Sequence, residues 1–131
     1  MRLVLQRGEG DCGVAALATL LEQSYEDAYI AVSSVEASRR GKSGLTDVQL
    51  IKAAKVFRVE LVRRQPVDLD TDEGILVVRW SRSMAKALGY PAHYVVLGHG
   101  VIVDPADGFI LPADEYLKRM NAKAGRLLEV A

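Results

Sequence analysis

Apolar residues recur at helical spacing from Cys12 to Glu22, where Val14, Leu17, Leu20 and Leu21 form one stripe behind Asp11 as N-cap. Ser24-Tyr25-Glu26-Asp27 restarts a second helix that runs to about Ser34. Thr46-Asp47-Val48-Gln49 has capping-box form and opens a third helix, with Val48 and Ile51 on an apolar face and Lys52 and Lys55 on a basic one. After Phe57 the period falls to two. Val59 and Leu61 alternate with charged residues, and Gly74-Ile75-Leu76-Val77-Val78-Arg79-Trp80 reads as a buried strand. His93-Tyr94-Val95-Val96-Leu97, Gly98-His99-Gly100 and Val101-Ile102-Val103-Asp104 read as strand, tight turn and strand. Pro105-Ala106-Asp107-Gly108 turns into Phe109-Ile110-Leu111, and a short last helix opens at Pro112 or Ala113 and runs through Met120. Residues 38–44, 65–74 and 81–91 read as loops. Helices first and consecutive antiparallel strands second make an α+β layout, with N-terminal helices packed on a C-terminal sheet, and argue against a doubly wound parallel sheet.

Composition narrows the function classes. The 131 residues are enough for a single domain spanning 1–131, and a hydrophobic share of 50% supplies its core. Seventeen Lys+Arg balance seventeen Asp+Glu, so the chain has no net charge to draw it to nucleic acid or an acidic membrane. The basic clusters Arg39-Arg40-Gly41-Lys42 and Arg63-Arg64 read as solvated surface. The apolar run Leu3-Val4-Leu5 is far short of a signal-peptide core, and no stretch reaches the ~18 apolar residues of a membrane helix. The expectation is a cytoplasmic protein in a reducing compartment. Its single cysteine, Cys12, can form no intrachain disulfide and excludes a Cys-rich zinc site.

Cys12 is either core filler or a nucleophile. It begins a helix just after a loop carrying Gly8 and Gly10, where the positive end of the macrodipole and unpaired N–H groups favour a thiolate. The same N–H groups can stabilise an oxyanion on a carbonyl under attack, and Gln6, six residues upstream, offers a second donor. Position alone leaves both readings open, because lone cysteines are often buried and inert.

A nucleophile needs a base. His99 lies in a turn between glycines and reads as a solvated imidazole, whereas His93 heads an apolar strand. Asp104 decides between them. A hairpin with a two- or four-residue loop sets His93 opposite Asp104 on one face, and a three-residue loop would put them on opposite faces. Given that pairing, Asp104 orients the imidazole and His93 takes the thiol proton. Such chemistry uses side chains alone and implies no metal and no organic cofactor.

These residues resemble a family. The run Gln6-Arg7-Gly8-Glu9-Gly10-Asp11-Cys12-Gly13-Val14-Ala15-Ala16-Leu17-Ala18-Thr19-Leu20-Leu21 resembles the active-site segment of the C39 peptidases, papain-like cysteine proteases known as N-terminal domains of bacteriocin-exporting ABC transporters. His93-Tyr94-Val95-Val96-Leu97 resembles the family's histidine strand, Val103-Asp104-Pro105-Ala106 its aspartate turn, and Gly44-Leu45-Thr46 the segment between. The resemblance implies a papain-like fold, with Cys12 as nucleophile, His93 as general base and acid, Asp104 as orienting residue and Gln6 as oxyanion donor. It implies a peptide or protein substrate, cut in the family typically after two glycines. The chain departs from the pattern in carrying no transporter membrane domain or ATPase, in a longer and more polar approach to the histidine strand over residues 81–92, and in a short His-to-Asp interval.

A binding or inhibitor module on the same fold is the competing reading, although such a module has no physical need of all four residues. Residues 81–91 and 39–42 read first as ordinary surface loops; the competing specificity hypothesis has them flank the cleft, where Ser81-Arg82-Ser83 and the paired arginines Arg39-Arg40 would favour an acidic or polar substrate segment, with Arg79 or Arg82 as the residues to swap in testing it.

Overall fold

A computed structural model describes residues 3–7, 11–35, 45–89 and 92–131. In chain order the elements are α1 (Cys12–Leu21), α2 (Tyr25–Val35), α3 (Asp47–Val56), β1 (Leu61–Arg64), β2 (Gly74–Trp80), α4 (Arg82–Leu88), β3 (Ala92–Gly98), β4 (Val101–Val103), β5 (Ile110–Pro112), α5 (Ala113–Arg119) and β6 (Ala122–Val130). The strands pair antiparallel throughout, in the order β1-β6-β2-β3-β4-β5. The α+β class read from the sequence is the one observed.

The first three helices start where capping chemistry places them, with one exception. Thr46 caps α3 as read: its hydroxyl accepts from the Gln49 N–H, and the Gln49 side chain accepts from the Thr46 N–H at 2.9 Å. Asp11 occupies the cap position of α1, yet its carboxylate makes no capping bond and accepts instead from the Tyr25 hydroxyl. A neighbouring phenol therefore takes the side chain that the N-cap assignment gave to the α1 backbone. Helix α1 is buried from Gly13 to Thr19, and its alanines let it lie close against β3 and α2. Gly13 matters for that packing, because a Cβ there would come within 3.0 Å of Leu45.

The sheet is covered on both faces, so β2 has no polar side. Ile75 and Val77 pack with Tyr94, Val96 and Leu128 beneath α1, α2 and α3. Leu76, Val78 and Trp80 pack with Val95, Leu97 and Leu127 beneath Tyr116 and Ala113 of α5. Two elements were not expected. Residues 82–88 form α4, with Ser81 accepting from the Met84 N–H and Gly89 closing the helix in the left-handed region. Strand β6 inserts between β1 and β2 although Ala122, Lys123, Ala124 and Gly125 have poor strand propensity.

Between β2 and β6 the register slips. Leu76 pairs with Leu127 but Val78 with Ala124, so Val77 faces both Gly125 and Arg126. This is a bulge, a device that re-aims side chains. Gly125 permits it, since a Cβ there would sit 3.0 Å from the Val77 carbonyl oxygen.

Candidate active site

Cys12 stands at the first residue of α1, half-buried, with its side chain hydrogen-bonded to His93. Burial pushes the thiol up, but the hydrogen bond and positive charge of His93, with main-chain bonds at Tyr94 and Gly13, outweigh it and hold the thiol below its ordinary value.

His93 is buried at the head of β3, stacked on Trp80 with ring centroids 5.8 Å apart. Its Nε2 lies 2.8 Å from Asp104 Oδ1, which leaves Nδ1 for the thiol. Burial opposes the imidazolium, yet the bonds to Asp104 and Cys12 raise the histidine to about 10. Asp104 is itself 1% exposed and fully engaged. Oδ1 also accepts from the Ala106 N–H at 2.9 Å, and Oδ2 accepts from the Tyr116 hydroxyl at 2.6 Å. Burial pushes this carboxyl up, and the bonds from His93, Tyr116 and Ala106 bring it below its usual range.

The hairpin meets its parity requirement by a different register. Gly98 pairs with Val101 across a two-residue loop, in which His99 (φ 54°) and Gly100 (φ 76°) both adopt the left-handed conformation of a type I′ turn. Val96 pairs with Val103, so continuation of that register sets Asp104 opposite Val95 rather than His93. The even loop length keeps Asp104 on His93's face, displaced by two residues, and the side chains meet diagonally. His99 is exposed beside Glu73, as a solvated turn residue should be.

Gln6 is placed by its main chain. The Val4 N–H donates to the Thr19 hydroxyl at 3.0 Å, tying the N-terminal segment to α1, and the Gln6 N–H donates to the Pro105 carbonyl at 2.9 Å. Gln6 is thereby fixed against the residue that follows Asp104. Residues 8–10, the glycine loop before Cys12, lie outside the described residues.

A groove of about 480 Å³ opens beside the thiol. Its lining joins Cys12 and His93 to an apolar set, Leu45, Val77 and Ala92, and to a polar set, Thr46, Asp47, Arg63, Tyr94 and Arg126. Asp47 organises the polar set. Its buried carboxylate accepts from the Tyr94 hydroxyl at 2.7 Å, from Arg63 Nε at 3.1 Å, and from both Nε and Nη2 of Arg126. Burial would raise this carboxyl, but Arg126 and then Tyr94 and Arg63 hold it low.

Arg79 and Arg82 do not line the groove, which goes against the cleft-flanking hypothesis, and residues 39–42 lie outside the described residues. The reason for Arg82 is that its segment, read as a loop, folds as α4, whose Met84 and Ala85 pack with the cluster on the α5 side of the sheet. Arg63 and Arg64 stay exposed at the strand end, as read, but are also ion-paired: Arg63 binds Asp47, while Arg64 binds Asp72 and, at 2.8 Å, Glu129.

The sequence model of the peptidase C39 family matches residues 1–120. The chain belongs to the peptidase C39 family. Membership places it among peptidases, hydrolases of peptide substrates. No match was found among curated proteins. Among the described residues no helix is long and apolar enough to cross a membrane, and no three His, Cys, Asp or Glu side chains group as metal ligands.

Three residues at this C39 site escaped the sequence reading: Tyr116, Asp47 and Arg126. Tyr116 carried one signal, since a tyrosine on the apolar face of a short helix must find a partner for its hydroxyl once buried. Tyr116→Phe removes the donor to Asp104 Oδ2 and leaves that oxygen in an apolar setting. The expected outcome is a loss of about 1–2 kcal/mol in stability by denaturant unfolding. Asp104 should also become easier to protonate, so any catalytic activity of the site is lost at a higher pH as solutions are acidified.

Proposed function

We propose that the protein is a cysteine peptidase of papain-like fold, one domain over residues 1–131, acting through Cys12, His93 and Asp104 with Gln6 as oxyanion donor. The observation that carries this reading is the continuous hydrogen-bonded chain from the Cys12 thiol through His93 to a buried Asp104. A lone thiol of this kind suits a reducing compartment such as the cytoplasm.

In this mechanism the thiolate attacks the scissile carbonyl carbon, forming a C–S bond and an oxyanion that the Cys12 N–H and the Gln6 amide steady. The tetrahedral adduct collapses, the C–N bond breaks, and the proton that His93 carries goes to the leaving amine. His93 then takes a proton from water, the hydroxide attacks the thioester, and the acid product leaves with the thiol restored. Asp104 touches no substrate atom and holds the imidazole in place. Cleavage after Gly-Gly is the first specificity to try, given the family.

The pH profile follows from the two shifts. A lowered thiol and a raised imidazole favour the thiolate–imidazolium pair at neutral pH. The rate constant for peptide cleavage should rise as Cys12 loses its proton below its ordinary range, and fall as His93 loses its own near 10.

Iodoacetamide tests the thiol. Cys12 should alkylate rapidly at neutral pH, and His93→Ala should slow the reaction; slow alkylation that the substitution leaves unchanged would sink the peptidase reading and return the binding-module one. Incubation with a peptide library containing Gly-Gly sites tests turnover, with Cys12→Ala as the control that must fail to cleave.

A further inference from the structure

The groove beside Cys12 holds more positive charge than its own carboxylate can use. Asp47 is 3% exposed and binds two guanidinium groups at once. One carboxylate neutralises one of them, so the cluster carries a net positive charge, and Thr46 and Tyr94 add none. The donors are unevenly spent. Arg63 gives Asp47 only its Nε, and Arg126 gives Nε and Nη2. Among the described residues, Arg63 Nη1 and Nη2 make no further hydrogen bond or ion pair, while Arg126 also engages the Tyr94 hydroxyl.

Their placement is fixed from three elements. Arg63 projects from β1, Arg126 from the bulge between β2 and β6, and Asp47 from the first turn of α3. The Arg63 side chain is 52% exposed and that of Arg126 31%, so both can receive a ligand from solvent. A planar guanidinium whose Nε is already held presents its remaining N–H groups in a preset fork, the geometry that a carboxylate matches.

We propose that Arg63 and Arg126 form an anion subsite that holds a carboxylate of the substrate next to the bond under attack, so that the preferred peptide is acidic there. This deepens the peptidase reading and rests on it. A carboxylate in this position comes either from an acidic side chain or from the end of the chain.

Matched alkylating reagents read the subsite without a known substrate. In each, the Cys12 sulfur forms a C–S bond to the iodoacetyl carbon as the C–I bond breaks and iodide leaves with the electron pair. Iodoacetyl-glutamate α-amide and iodoacetyl-glutamine α-amide differ by one charge, and so do iodoacetyl-glycine and iodoacetyl-glycinamide. The wild-type protein should favour the anionic member by about tenfold relative to N-acetylcysteine amide, the order of one charge-assisted hydrogen bond, and the preference should shrink as salt is raised. Arg63→Gln should abolish most of it, Arg63→Lys should retain part, and Arg79→Gln should leave it intact. A larger preference within the glutamate pair assigns the subsite to an acidic side chain, and a larger one within the glycine pair assigns it to a chain terminus.

The two readings fail separately. If Cys12 is no faster than N-acetylcysteine amide with every reagent, the peptidase reading falls. If Cys12 is fast but shows no charge preference, or one that Arg63→Gln does not move, the subsite alone falls. Arg63→Gln leaves Asp47 bound to Arg126 and Tyr94, so its fold should persist, and a thermal melt run beside the kinetics checks this.

Discussion

His93→Ala is expected to lower kcat/KM for peptide cleavage on the order of 10⁴-fold, with binding of uncleaved peptide little changed. The size follows from what the ring does. It supplies the hydrogen bond and charge that keep the thiol ionised, gives the leaving amine its proton, and then activates water. Alanine removes all three at once. Asp104→Ala should cost less, about 10²-fold, because the carboxylate positions the imidazole without touching the reacting atoms. A purely structural Asp104 and a positioning one differ in the pH profile. Loss of the carboxylate leaves burial to lower the histidine, so the alkaline limb near 10 should move toward neutrality. Measuring kcat/KM against pH for wild type and Asp104→Ala separates them, and an unmoved alkaline limb would refute the positioning role.

What the sequence could disclose was local. Cys12 at a helix start, His93 at a strand head and Asp104 beside a proline-led turn are each short-range patterns, and hairpin parity alone joins the last two. Parity survived because side chains alternate along a strand whatever the register, whereas the register depended on where the two-residue loop fell. It fell at His99-Gly100, one position later than direct opposition of His93 and Asp104 requires. The expected Asp11 cap failed for a related reason. Capping preference is a local tendency, and Tyr25, fourteen residues away, offered that carboxylate a competing hydroxyl.

The missing parts were non-local. Strand β6 carries alanine, lysine and glycine where a strand usually shows β-branched residues, and its place between β1 and β2 comes from what those two strands leave open. Arg126 could not be assigned to the groove without the bulge that aims it, nor Asp47 without Arg126 to fill its second oxygen. Asp47 looked complete as part of a helix start. Its side chain instead spans to a residue seventy-nine positions later, a distance over which no periodicity speaks. Helix α4 is different, since its caps Ser81 and Gly89 are short-range features, yet residues 81–91 read as a loop because a run with no buried residue lacks the apolar stripe by which helices are recognised.

Asp47→Ala should be the most destabilising single change at the site, at about 3 kcal/mol. The substitution leaves the buried Tyr94 hydroxyl without its acceptor and releases two guanidinium groups that share one carboxylate. Arg63 and Arg126 both retain access to water, which keeps the figure at the lower end of the range for a broken buried pair. For a chain of this length the loss corresponds to roughly 10 °C in Tm. The pH dependence has a definite sign. Asp47 is held below its ordinary value, so its contribution is fully present above the unfolded carboxyl value of about 4 and is lost as pH falls through the lower folded value. Wild type and Asp47→Ala should therefore differ most near neutrality and converge on acidification. Adding Arg126→Leu to Asp47→Ala should recover part of the stability, because it removes the charge left unpaired. A double variant no more stable than Asp47→Ala would mean that Tyr94 and helix packing, rather than the arginine, carry the coupling.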